Sequence, residues 1–171
     1  IFAVGDEAYE MFEKAPGNIE IVFPMKEGVI SRFHDMQYLL QSILKKKRRF
    51  SMGAKYVVAV PTDVTEVEKR AFFDLVVHSA AKAKEVSIVE RALAQGIGLG
   101  IDVKQTRGIM IVDLGAETTE ISVVAMGGLV LNKMLKIGGT TMDNAISHLV
   151  RRRYDFLIGQ LTSEMLRRRF G

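Results

Sequence analysis

The chain has 171 residues, 48% of them hydrophobic and 26% charged, enough to bury a core without disulfides or metals and unlike a disordered, collagen-like or coiled-coil composition. It has no cysteine and three dispersed histidines, His34, His78 and His148, which removes a disulfide framework, a thiolate nucleophile and cysteine-ligated zinc and disfavours a histidine-rich metal site. The net charge of +4 is gathered in basic runs at 45–49, 151–153 and 167–169, a distribution that invites an acidic partner, while no apolar run approaches the roughly 18–20 residues of a membrane span.

The chain opens on Ile1-Phe2-Ala3-Val4, without an initiator methionine and as if inside a strand, and stops at Gly171 just after an apparent helix; it is read as a fragment of a longer protein. Asp6 to Lys14 has a helical pattern, Pro16-Gly17-Asn18 forms a turn, and Ile19 to Phe23 is expected as a strand between turn formers. Phe33, Met36, Leu39, Leu40, Ile43 and Leu44 recur at the spacing of an amphipathic helix over Arg32 to Lys46, with lysines at the end that favours positive charge. Tyr56 to Val60, stopped by Pro61, predicts a strand buried on both faces.

Thr65-Glu66-Val67-Glu68 is a capping box opening a helix to about Lys82. Val86 to Val89 predicts another strand, and Glu90 to about Gly98 a helix rich in small residues. Three strands are expected in succession at Ile109 to Val112, Glu120 to Ala125 and Leu129 to Ile137, with Gly127-Gly128 as a hairpin turn. Helices follow over Thr141 to Arg153, after Gly138-Gly139, and over Thr162 to Arg169. Crossover helices followed by a meander give an α/β protein with mixed sheets, and the one weak boundary is Asp102 to Gly108. The nine methionines read mostly as core filling.

The most informative stretch is Asp113-Leu114-Gly115-Ala116-Glu117-Thr118-Thr119-Glu120 between two predicted strands. A carboxylate leaving a buried strand into a Gly and Thr hairpin offers a metal-water ligand beside backbone amides suited to a phosphate; an ordinary β-turn fits as well.

Taken with Val57-Val58-Ala59-Val60-Pro61, the capping box, Ile137-Gly138-Gly139-Thr140-Thr141-Met142-Asp143, Arg151-Arg152-Arg153-Tyr154 and Leu157-Ile158-Gly159, the chain resembles the MreB family of bacterial actins from about Ile1 to its end. The resemblance implies an α/β actin-like ATPase (RNase H-like) fold of two related halves with ATP or ADP and Mg²⁺ in the cleft. Residues 1–107 would be part of the first actin-like domain, including the interdomain helix, and 108–171 the first part of the second. The first phosphate loop and the C-terminal portion of the family would lie outside this fragment.

By the same resemblance, Asp113 would hold Mg²⁺ through water, and Gly115, Ala116, Glu117 and Thr118 would contact phosphates. Gly139, Glu164 and Arg167 would border the adenosine, although Glu164 and Arg167 taken alone read as an exposed i, i+3 salt bridge. Two departures bear on the chemistry. The family's phosphate loop has glycines where this chain has Ala116 and Glu117, which narrows the loop and adds an anion where phosphate charge belongs. Glu90-Arg91-Ala92 stands for the family's Glu-Glu-Pro, and the position that would orient the attacking water is Arg91, which stays protonated and cannot be a base. Glu90 is then the remaining catalytic candidate.

The segment Lys45, Lys46, Lys47, Arg48, Arg49, Phe50, Ser51, Met52 lies where the family carries its hydrophobic membrane-binding loop. Basic residues near an anionic bilayer gain about 1 kcal/mol each, with Phe50 and Met52 able to insert beside them. A solvated helix end and a nucleic-acid patch are the alternatives, the latter lacking a binding motif or stacking aromatics. The implied function is a cytoplasmic cytoskeletal protein, peripheral on the inner face of the membrane, that forms filaments by self-association and works with cell-wall elongation proteins to set cell shape, without nucleic acid. A non-hydrolysing scaffold, or a soluble sugar kinase or chaperone-type ATPase of the same superfamily, are the competing readings.

Overall fold

A computed structural model describes residues 1–47, 53–79 and 83–171. The chain divides into two compact units, both discontinuous in sequence: Val22–Asp113 with Glu120–Met134, and Ile1–Ile21 with Leu114–Thr119 and Leu135–Gly171.

The first of these is built on strands. A short antiparallel pair, β1 (Met25–Lys26) and β2 (Val29–Ile30), precedes α2 (Phe33–Lys47), one residue displaced from the predicted helix. β3 (Lys55–Val60) and β4 (Glu85–Glu90) pair in parallel from Lys55↔Glu85 to Val60↔Glu90, joined by α3 (Glu66–Ser79) as a parallel pair requires. The capping box forms: the Thr65 N–H donates to Glu68 Oε2 at 2.7 Å and the Glu68 N–H to Thr65 Oγ1 at 3.3 Å. The Thr65 N–H and the Thr65 hydroxyl, both donating to Glu68 Oε2, hold the Glu68 carboxyl below its ordinary value. α3 buries Phe72, Leu75 and Val76, and Val60 is buried at the end of β3; the expected continuation of α3 at 80–82 lies outside the described residues.

α4 (Arg91–Gly98) follows β4 directly, and β5 (Ile109–Leu114), β6 (Thr119–Ala125) and β7 (Gly128–Leu135) form a three-stranded sheet in that order. Its core is Ala92, Ile111 and Val124, with Leu93, Val103, Ile109 and Leu129 packed around them. The β6–β7 turn uses Met126 and Gly127, with φ of 52° and 75°, one residue earlier than the predicted Gly127-Gly128 and with the two positive φ values of a tight hairpin.

The second unit is mainly helical: α1 (Asp6–Glu10), the 114–119 turn, α5 (Gly139–Tyr154) and α6 (Gln160–Phe170), with α5 packed on α6. Glu13, at φ 63°, caps α6 from a distant part of the chain: the Gln160 N–H donates to its Oε1 and Oε2 at 3.0 and 2.8 Å. A carboxylate there satisfies an orphan donor and complements the helix dipole.

Five expectations fail. Ile19 to Phe23 is not a strand, since among the described residues it joins no sheet and the Ile19 N–H instead donates to Pro16 O at 2.9 Å; extended backbone without a neighbouring ladder has nowhere to place its polar groups. Ile1–Val4 is outside any strand for the same reason. The helix expected over Asp6 to Lys14 ends at Glu10, in turns that lead to the left-handed Glu13. β3 is not buried on both faces, because Val57 is 73% exposed, and no methionine is among the buried residues described, with Met110, Met126, Met142 and Met165 exposed.

Candidate functional site

In the strand-built unit, the site grows from the junctions of β4 with α4 and of β5 with β6. Glu90 closes β4 and is the N-cap of α4, in extended conformation and without a side-chain capping bond. Arg91 is the first residue of the helix, so its side chain leaves the point where strand becomes helix. Its Nη1 lies 3.8 Å from Asp113 Oδ2 on β5 and 3.8 Å from Glu120 Oε2 on β6. Gln95, one helical turn on, donates from Nε2 to Asp113 Oδ2 at 2.7 Å.

Glu120 is 2% exposed. Its Oε1 accepts from the Thr62 hydroxyl and, at 3.3 Å, from the Thr62 N–H, while no hydrogen-bond donor reaches Oε2 among the described residues. A buried carboxylate with one oxygen unbonded is costly unless a charge compensates it, and Arg91 is the cation placed to do so.

In the helical unit, the loop after Asp113 is held against the start of α5. The Gly139 N–H donates to Gly115 O at 3.0 Å and the Thr140 N–H to Ala116 O at 2.7 Å, while the Thr141 and Met142 N–H groups bond Gly138 O. The first four amides of α5 are thus occupied by protein carbonyls, and this helix end is not an open anion site. Thr118 and Thr119 are buried, and Thr119 Oγ1 donates to Ile137 O at 2.7 Å. Any Cβ at Gly138 would stand 2.7 Å from the Ala116 carbonyl and Gly115 O, a backbone clash, whereas one at Gly139 would meet the movable guanidinium of Arg167 at 2.9 Å. The tighter requirement for glycine therefore falls on Gly138, next to the residue singled out from sequence.

Glu164 and Arg167 do not pair with each other. Arg167 donates from Nε and Nη2 to Asp143 Oδ1 and Oδ2 at 2.7 and 3.3 Å, a two-point fork onto a carboxylate 4% exposed, and this hydrogen bonding raises the arginine above its ordinary pKa. Glu164 accepts from the Tyr9 hydroxyl at 2.5 Å and pairs with Arg168 at 2.7 Å. The hydrogen bond to Glu164, then burial, push the Tyr9 phenol up to about 12. Tyr9, Leu161, Glu164, Met165, Arg168 and Arg169 line a depression of about 520 Å³, which Arg167 does not border.

Of the basic run, Lys45 is exposed in α2, and Lys46 and Lys47 end that helix; Arg48, Arg49, Phe50 and Met52 lie outside the described residues. No helix among the described residues is long and apolar enough to cross a membrane. Sequence reasoning missed Glu120, Thr62, Gln95, Asp143 and Tyr9 as partners. Glu120 had a usable signal, a carboxylate within a β-branched run; the others had none short of tertiary structure.

Asp113 and Glu120 are the carboxylates that Arg91 faces, and no group of three or more His, Asp or Glu converges among the described residues. With Arg91 between them they do not fit Mg²⁺. A fixed positive charge about 4 Å from the same carboxylates repels a dication by several kcal/mol at an effective dielectric of ~20, and an arginine does not deprotonate to make room.

The chain has the actin-like fold of the solved structures it matches. The "MamK double helical filament" has the same fold, with a TM-score of 0.80 at 22% identity over 99% of this chain and 51% of that one. MreB5 of Spiroplasma citri, solved bound to ADP, matches with a TM-score of 0.90 and 31% identity over 97% of this chain and 50% of its own, and its AMPPNP-bound structure with 0.91.

The family model described as MreB/Mbl protein matches residues 1–171, and the chain belongs to the MreB/Mbl family. The cell shape-determining protein MreB of Escherichia coli K12 is 37% identical over 174 residues, covering 100% of this chain and 50% of the relative. The cell shape-determining protein Mbl of Bacillus cereus is 33% identical over 173 residues, with 100% and 51% covered. The chain spans about half the length of the curated relatives it matches.

Proposed function

We propose that this chain is part of an MreB-like cytoskeletal protein that sets cell shape and supports wall elongation through filaments whose assembly depends on bound ATP or ADP. The observation that carries the reading is family membership across residues 1–171 together with 31% identity to an MreB5 whose structures hold ADP and AMPPNP. In this reading residues 1–107 belong to the first actin-like domain and 108–171 open the second. Gly115, Ala116, Glu117 and Thr118 face phosphates; Gly139 and Glu164 border the adenosine, and Arg167, held by Asp143, stiffens that border. Glu90 orients water if hydrolysis occurs. The filament is cytoplasmic and peripheral: Lys45 to Met52 engages anionic headgroups on the inner membrane face, and cell-wall elongation proteins are its partners.

The test is sedimentation of the full-length protein with and without ATP, alongside calorimetric ATP titration. Saturable ATP binding and ATP-dependent pelleting are expected. Binding without pelleting overturns the filament and returns the soluble superfamily ATPase; pelleting without binding overturns the nucleotide dependence. One observation favours a second reading, a filament that binds without turnover: Arg91 occupies the position expected to orient water and is engaged with Asp113 and Glu120. Steady-state phosphate release would remove that reading.

A further inference from the structure

The Arg91 guanidinium is shared between two carboxylates rather than forked onto one, at 3.8 Å from each, beyond hydrogen-bond range. Glu120 Oε2 is buried, has no hydrogen bond among the described residues, and is directed toward that same cation. This is how a pair of acidic groups would surround a point charge they jointly neutralise. Thr62 secures the other oxygen of Glu120, and Gln95 secures Asp113, so the carboxylates are held in place independently of what lies between them.

We propose that Arg91 is a resident cation in the place of a divalent metal, and that the protein therefore takes nucleoside di- and triphosphates without requiring Mg²⁺. The second half rests on the nucleotide reading above; the first half does not. The guanidinium supplies the positive charge that a dication would otherwise bring, is covalently fixed at the start of α4, and cannot be removed by chelation or by proton loss. Removing its charge leaves two oriented carboxylates with an unbonded buried oxygen, a set suited to a hard cation with water completing its shell.

Two titrations on the full-length protein test this. Mn²⁺ alone serves as the first probe, followed by its electron paramagnetic resonance signal. The wild type is expected to take up no ion below millimolar concentration, Arg91→Gln to take up one, Arg91→Gln combined with Asp113→Asn to lose it, and Arg91→Lys to behave as wild type. Uptake by the wild type that Asp113→Asn abolishes overturns the proposal, as does failure of folded Arg91→Gln to bind; if Arg91→Gln does not fold, uptake by Arg91→Met decides in the same way. ADP is the second probe, titrated with EDTA or with Mg²⁺. The wild type should differ by less than about twofold between the two, and Arg91→Gln should gain roughly tenfold or more from Mg²⁺. A wild-type gain of that size overturns the proposal. No ADP binding under either condition sinks the nucleotide reading and metal-free nucleotide uptake with it, while the Mn²⁺ result still decides what Arg91 replaces.

Discussion

Among the described residues two arginines meet buried carboxylates, in opposite ways. Arg167 forks onto Asp143 through two hydrogen bonds, both oxygens satisfied, whereas Arg91 stands off from Asp113 and Glu120 and leaves Glu120 Oε2 unbonded. The first arrangement is complete: each group has the partner its geometry asks for, and it fixes α6 to α5. The second satisfies charge without satisfying hydrogen bonds, the mark of a place organised around a cation rather than around a particular side chain.

The largest expected effect breaks the second group. Glu120→Ala removes a carboxylate that is 2% exposed and leaves Arg91 with Asp113 alone, and should cost about 3 kcal/mol in urea unfolding, the lower range for breaking a buried pair since the arginine keeps one carboxylate and some solvent. If the pair is electrostatic rather than hydrogen-bonded, Arg91→Met added to Glu120→Ala should recover part of that loss; a strictly additive double variant would show that the two do not interact.

Gly138→Ala comes next and probes the contact between the start of α5 and the Gly115–Ala116 backbone. Its Cβ would meet backbone atoms at 2.7 Å, and about 2 kcal/mol of destabilisation is expected from overpacking that cannot relax. Gly139→Ala should lose less, because the obstructing atom ends a movable arginine; equal losses in thermal or urea unfolding would contradict this.

The Tyr9–Glu164 bond sharpens the comparison by pH. A phenol raised from 10.0 to about 12 by its carboxylate acceptor adds stability that is fully present below the unfolded pKa near 10 and is lost as pH rises through 12. Phenolate absorbance should show Tyr9 titrating late, and Glu164→Gln should return it toward 10; an unchanged late transition would assign the shift elsewhere. The smallest effect concerns the β6–β7 turn. Met126 holds φ 52°, and Met126→Asn should stabilise by about 0.5 kcal/mol, read from the urea midpoint.

Local patterns were legible wherever short-range physics sufficed. The Thr65–Glu68 box, the apolar spacing of α2, the β3–α3–β4 unit and the three-strand meander all follow from capping chemistry, side-chain periodicity and turn formers within a few residues of each other. The motif sequence from Val57 to Gly159 also sufficed to place the chain in its family. Ile19 to Phe23 misled because β-branched residues state a preference for extended backbone and say nothing of whether a neighbouring strand exists. Tyr56 to Val60 misled similarly, since an apolar run cannot show that one face stays uncovered.

The candidate site divides along the same line. Sequence placed Asp113 and Gly115 at a turn between two strands and Gly138 and Gly139 at the opening of a helix, which are statements of residue type at fixed spacing, while the resemblance to the family implied that Arg91 stands where an acid is expected. Only the tertiary structure decided that Arg91 reaches both Asp113 and Glu120, that Arg167 turns to Asp143 rather than Glu164, and that Tyr9 and Glu13 serve a helix some 150 residues away. Pairings between charged groups distant in sequence depend on where packing of the apolar faces brings the elements together, and no local propensity encodes that distance.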